Sequence, residues 1–236
     1  MANQSVGNAK NILVGASPLF LSTIDINDSD YIANAEPGVA IPAGASTVGV
    51  PAFATGVSYT TSLNGVEQTA GKFGYRNVGF TNNGLQITYN PTYDSVTVDQ
   101  LLDTAKLFKS AMEVMIATEM SEGTLENIVT VFGQGASSLS TTGTGASKVD
   151  TLGLEAGSLG AAPTERQLIA VGQAPTASAT ATERVYYARR VLSVQQSQFS
   201  LARTTPTTFP VTFRLLPDAN YSGSEYGKII DRVLTV

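Results

Sequence analysis

Oxygen-bearing side chains recur from residue 25 in an order that a hard cation would use. Asp25, Asn27, Ser29 and Glu36 stand at positions 1, 3, 5 and 12 of a loop with Ile32 at position 8, the ligand order of an EF-hand calcium site. Position 6 calls for the glycine of a sharp turn and holds Asp30. Neither Leu21-Ser-Thr-Ile before the loop nor Pro37-Gly38 after it reads as the paired helices that such a site needs. The plainer reading is a solvated acidic turn, with Asp25, Asn27, Ser29 and Glu36 kept as a weak calcium candidate.

The remaining chemistry is thin. The chain has no Cys and no His, which excludes disulfides, Cys/His zinc sites, thiol nucleophiles and every Ser-His-Asp arrangement within it. Paired carboxylates can do acid-base work, and Glu113 with Glu119, Asp99 with Asp103 and Glu122 with Glu126 are the available pairs. They sit on ordinary elements near Lys106, Lys109 and several Arg, where solvation or ion pairing explains them. Gly133-Gln-Gly135 echoes a dinucleotide loop but follows a helical pattern instead of a strand and lacks the third glycine. No catalytic residue, cofactor site or enzymatic activity is expected.

Arg184, Arg189 and Arg190 with Tyr186 and Tyr187 form the one basic and aromatic cluster. Stacking on a nucleic acid is one reading. Three Arg in a chain of net charge −5, on a strand whose alternate residues face a core, point more simply to pairing between subunits. The acidic balance argues against a protein that grips phosphate backbones, because that affinity comes from Lys and Arg releasing counterions.

The elements that would position these residues are mostly strands. From Phe73 to Gly133 the chain commits most firmly. Residues 75–81 and 85–90 flank Asn82-Asn83-Gly84, and Asn and Gly tolerate the positive φ of a tight turn, which predicts a hairpin. A strand at Ser95-Val-Thr-Val follows Pro91, and a helical turn is expected within 99–110 because Leu101, Leu102 and Ala105 recur at helical spacing. Residues 112–119 alternate, with Met112, Val114 and Ile116 on one side and Glu113 and Glu119 on the other. Leu125, Ile128, Val129 and Phe132 then mark one helix face, with Ser121 or Thr124 as cap and Gly133 as stop.

Outside that stretch, residues 1–10 read as an N-terminal arm and 11–16 as a first strand. A long loop is expected over 17–55, too apolar at Leu19-Phe20-Leu21 to be a linker, and packed either on its own molecule or on a neighbour. Residues 53–63 alternate weakly into a second turn signal, Asn64-Gly65. A low-complexity surface loop with little regular structure is expected over 133–164. Strands at 166–171, 184–201, 208–216 and 229–236 close the sheet, with a bulge near Arg189-Arg190 where the pattern changes register. The sum is a single mainly β domain over 1–236, an antiparallel sandwich or barrel of about ten strands with one flanking helix and long loops. Gly15, Ser17 and Pro18 break the only apolar run that imitates a leader. No segment approaches the roughly 20 apolar residues of a membrane helix, so synthesis in a cytoplasm is expected.

Gly79, Phe80, Thr81, Gly84, Ile87 and Tyr89 of the ribbon, then Val96-Thr-Val-Asp-Gln, then Thr124, Leu125, Glu126 and Asn127 opening the helix, make an order that resembles the major tail tube proteins of long-tailed, siphovirus-type bacteriophages. The resemblance covers about a quarter of the chain directly and the closing strands loosely. It implies a tail-tube-like structural virion protein that self-assembles into hexameric rings, stacked into a tube through which DNA is delivered to the host without specific binding. The partners it implies are further copies of the chain and the tail tip or baseplate, tape measure and tail terminator proteins, with no membrane. Gly79, Phe80, Thr81, Gly84, Thr124, Leu125, Glu126, Asn127, Arg184, Arg189 and Arg190 are then the subunit-interface candidates. Secretion-system tubes share the fold, and a virion receptor- or carbohydrate-binding β module is the alternative from another class, although the absence of Trp weakens its case for an aromatic platform.

Overall fold

The computed structural model describes residues 15, 17–22, 25–26, 58–60, 74–100, 103–156, 160, 162–175, 182–194, 198–201 and 203–233. The expected arm at 1–10, the strand expected at 11–16 apart from Gly15, and the Asn64-Gly65 turn lie outside them, as does most of the 17–55 loop.

The described chain is mostly strand, with one helix and an antiparallel sheet. Its strands are β1 (Leu19–Ser22), β2 (Ser58–Thr60), β3 (Gly74–Asn77), β4 (Thr81–Val96), β5 (Lys106–Met120), β6 (Leu139–Thr142), β7 (Val149–Leu152), β8 (Arg166–Gln173), β9 (Thr182–Ser193), β10 (Phe209–Leu215) and β11 (Gly227–Val233), and its helix is α1 (Leu125–Val131). Nine strands form one continuous sheet in the order β2-β3-β1-β8-β9-β10-β5-β4, with β11 also paired to β9; β6 and β7 make a separate two-stranded ribbon. Every pairing is antiparallel except β2 with β3.

The middle of this sheet explains its sequence. Leu19-Phe20-Leu21 and Leu168-Ile169-Ala170-Val171 are buried on both sides, and a strand covered on both faces needs an unbroken apolar run instead of alternation. The expectation of irregular chain around residue 19 is corrected accordingly: β1 lies between β3 and β8. Farther along the sheet β5 and β10 alternate. Val114, Ile116, Val211 and Phe213 enter the core, while Glu113 and Arg214 meet at 3.6 Å outside it. Each fully buried apolar side chain of this kind contributes about 1.5–3 kcal/mol.

Three further expectations change. Asn83 and Gly84 do adopt positive φ, 60° and 69°, but as a bulge inside β4 and not as a turn between two strands. Thr81 and Asn82 pair with Met120 and Glu119, and pairing resumes at Gln86 with Ala117. The predicted first strand pairs elsewhere, β3 taking β1 and β2 as neighbours. The hairpin that does form is β4 with β5, closed where Ala105 N donates to Val96 O at 2.9 Å. Lys106 to Ser110 accordingly belong to β5 and not to a helical turn. In 133–164, two 3-10 turns and the β6–β7 ribbon replace part of the expected loop, with Thr141 Oγ1 donating to Asp150 Oδ1 at 2.6 Å across the ribbon. The long strand expected over 184–201 ends at Ser193.

The bulge expected at Arg189-Arg190 is present. Arg166 pairs with Val191 and Leu168 with Ala188, so Gln167 alone faces Arg189 and Arg190.

Candidate functional site

Three sets of residues singled out in the sequence now have positions. The first is the β4–β5 ribbon. Gly79 precedes it at φ +85°, and a Cβ there would stand 2.2 Å from the Glu122 carboxyl carbon. That close approach lets Phe80 N donate to Glu122 Oε1 at 2.9 Å while Ser121 N donates to Phe80 O at 2.8 Å. The start of β4 is thereby tied to the chain that enters α1, and the Phe80 ring is left 76% exposed. At the bulge, Thr118 Oγ1 donates to Gly84 O at 2.8 Å and holds the extra residues against β5.

Beyond the bulge, alternation puts Ile87, Tyr89, Pro91 and Tyr93 on the same side of β4, opposite Ile116, Val114, Met112 and Lys109 of β5. Ile116 and Val114 are buried in the core, yet Tyr89 is 66% exposed, and Ile87, Tyr93 and Leu107 on the same face are exposed as well. The core-facing stripe thus continues along the ribbon past the end of the core. β4 is also the edge of the sheet.

The second set is the opening of α1. Thr124 Oγ1 accepts from Asn127 N at 3.3 Å as the N-cap, and Gly133 takes φ 68° after the last turn. Leu125 and Glu126 are half-buried. Asn127 is 0% exposed, so it is corrected from an interface candidate to an internal fastening. Its Nδ2 donates to Val78 O at 2.8 Å and Glu122 O at 2.9 Å, and its Oδ1 accepts from Arg76 Nη1 at 2.7 Å. One side chain therefore joins the helix to β3 and to the segment before the helix. The expected apolar stripe is also revised: Val129 and Val131 are buried, whereas Phe132 is exposed and stacks with Phe199 at 6.4 Å between ring centroids.

The third set is the arginine cluster, whose described charge partners lie within the subunit. Arg184 makes a two-pronged contact with Asp231, Nε to Oδ1 at 2.6 Å and Nη2 to Oδ2 at 2.7 Å. These bonds hold the Asp231 carboxyl below its ordinary range and push the Arg184 guanidinium up. Arg190 is forked onto Glu165 at 2.7 and 3.0 Å. Arg189 is 1% exposed; its guanidinium carbon lies 3.5 Å from the Tyr221 ring centroid, and its Nε donates to Ser224 O at 3.1 Å. The bulge explains the divergence, since two adjacent arginines facing one Gln167 are sent in different directions. Arg189 is thereby removed from the interface candidates. Tyr187 is buried and Tyr186 half-buried, so neither offers a stacking platform.

Of the calcium candidates, Asp25 Oδ2 accepts from Glu165 N at 3.1 Å, while Asn27, Ser29 and Glu36 lie outside the described residues. Among the described residues no three His, Cys, Asp or Glu side chains come together as a metal site. Neither Arg76 nor Arg166 stood out in the sequence as a site residue; the available signal for Arg76 is a lone charge between two residues, Tyr75 and Val78, that are buried. No family model matches the chain, and no curated protein matches it.

Proposed function

We propose that this chain is a structural subunit that assembles with further copies into stacked hexameric rings around a passage for DNA, as a virion tail tube does. The observation that carries the reading is the β4–β5 ribbon, an uncovered continuation of the core face bearing Ile87, Tyr89, Tyr93 and Leu107. A contiguous apolar surface of this kind is a contact surface or an aggregation hazard, and a second copy of the chain covers it. Two properties of the chain support the same reading. Charged residues are only 14% of the sequence, which suits broad contact between subunits, and the net charge of −5 lets DNA pass without adhering. The ends of such a tube would meet tail tip, tape measure and terminator proteins.

Sedimentation across a wide concentration range, with negative-stain imaging at the top of it, tests the proposal. Wild-type protein is expected to give rings or short tubes with a central hole. The double variant Ile87→Asp/Tyr89→Asp, whose changes lie at exposed positions, is expected to keep its fold and remain monomeric. Wild-type protein that stays monomeric at every concentration overturns the reading, and glycan binding by that monomer would favour a receptor-binding module. Rings that persist in the double variant remove the ribbon from the contact.

A further inference from the structure

A half-open cleft of about 480 Å³ lies where α1, the β6–β7 ribbon, β3, the end of β1 and the start of β8 meet, within the size range of small-ligand sites, about 300–1,000 Å³. Its walls carry two buried guanidinium groups, Arg76 and Arg166, together with Thr124, Glu126, Lys148 and Asp150.

The two arginines are used differently. Arg166 Nη1 donates to Ser22 O at 2.9 Å, and the Asp25 carboxylate supports its charge. Arg76 is 8% exposed, and only its Nη1 is engaged, by Asn127 Oδ1 at 2.7 Å and Asn77 O at 3.4 Å. Its Nε and Nη2 make no hydrogen bond to a described residue, and no described carboxylate lies within ion-pair distance of it. Burial first, and the neighbouring Arg166 charge second, bring the Arg76 guanidinium down to about 10, against weaker support from Glu126 and Glu122. A buried cation with spare donors on a solvent-reached cleft is stabilised by whatever anion enters. Nearby, Thr124 Oγ1 already accepts from Asn127 N, which leaves its hydroxyl proton for another acceptor. Asp150 is taken up by Lys148 at 3.1 Å and by Thr141. Glu126 is then the one wall carboxylate left to oppose an incoming anion.

We propose that this cleft is an oxyanion site, in which the Nε and Nη2 donors of Arg76 receive a carboxylate or phosphate group. The group arrives either as a free small anion or on an acidic side chain of a second copy of the chain. The first source does not depend on assembly, and the site is testable in a strictly monomeric protein.

The test follows the Arg76 side-chain Nε–H resonance, assigned by its disappearance in Arg76→Lys, during titration with inorganic phosphate and separately with acetate. Sodium chloride at matched ionic strength is the control, and the exposed Arg203 is the internal reference. A saturable shift of Arg76 alone in dilute protein supports the site with a free anion as its source. A shift that grows with protein concentration in the absence of added anion, and is reversed by phosphate, supports it with a second copy as the source. Glu126→Gln, which keeps the shape of the wall and removes its opposing charge, is expected to tighten phosphate binding roughly threefold to tenfold. An Arg76 resonance that moves no more than the chloride control under both regimes, or phosphate binding unchanged in Glu126→Gln, overturns the proposal.

Discussion

Replacing Asn127 by Ala should destabilise the fold more than any other polar truncation in α1, and the size of the loss follows from its bonds. The side chain is fully buried and makes three hydrogen bonds, one from Arg76 and two to the carbonyls of Val78 and Glu122. Losing a hydrogen bond to a charged group costs about 1.5–3 kcal/mol and a neutral one about 1 kcal/mol. The sum is about 4 kcal/mol, reduced to about 3 because the adjoining cleft lets water reach Arg76. For a chain of this size each kcal/mol moves the melting midpoint by about 2–4 °C, so a fall of about 10 °C is expected. Asn127→Asp is the discriminating companion. It gains a carboxylate for Arg76 but turns an acceptor toward two carbonyls, and should lose about 2 kcal/mol. Urea unfolding at a concentration where sedimentation shows only monomer measures both. A loss below about 1 kcal/mol for Asn127→Ala, with an unchanged denaturant slope, would refute the view that this residue fastens the helix to the sheet.

The two glycines at positive φ that separate strain from crowding make a paired prediction. Gly227→Ala places a Cβ 1.9 Å from Tyr187 O in the partner strand at φ 143° and should lose roughly 2–4 kcal/mol. Gly84→Ala at φ +69° meets open space and should lose only about 1 kcal/mol; unfolding data with the reverse order would contradict the geometry. The Arg184–Asp231 pair predicts an acid dependence. Asp231 is held below its unfolded value, so its contribution is fully present above about pH 5 and is lost as the pH falls through the folded pKa. The pair is largely exposed, which limits it to about 1 kcal/mol. The stability difference between wild type and Asp231→Asn should shrink from that value at pH 7 to nothing near pH 2.

What was legible in the sequence is what local chemistry decides. Thr124 caps α1 and Gly133 ends it because a hydroxyl acceptor and a residue free at positive φ suffice for those tasks. The bulge at Arg189-Arg190 was legible from the change in alternation alone. Asn83-Gly84 shows the boundary: two consecutive positive-φ residues serve a tight turn or a bulge equally, and the choice fell to partners distant in sequence, β1 for β3 and β5 for β4. The arginine cluster failed for the same reason. Its need for anions was plain, but Asp231 lies 47 residues from Arg184 and Glu165 lies 25 from Arg190, separations no local pattern reports. The β6–β7 ribbon was hidden because Leu-Ser-Thr-Thr and Val-Asp-Thr-Leu carry too little apolar weight to stand out among small residues.

The ribbon's own construction argues for how a second copy would meet it. A sixteen-residue edge strand is a template for open-ended pairing unless its edge is interrupted. β4 is interrupted by the two-residue excess at Asn83-Gly84 and by Pro91, which has no N–H to offer; opposite Thr92 and Tyr93 the extra residue, Ser110, belongs to β5 and bends the ribbon, and Lys106 and Lys109 place charge near the tip. Each feature blunts edge-to-edge addition while leaving the side-chain stripe of Ile87, Tyr89 and Tyr93 intact. Contact through the face is therefore favoured over contact through the edge, which is what closed rings require, because strand addition at an unblocked edge has no built-in stopping point. Under this reasoning Ile87→Asp/Tyr89→Asp abolishes assembly, whereas substituting the opposite-facing Thr88 and Asn90 leaves it intact. Loss of assembly in the second variant would relocate the contact to the other face of the ribbon.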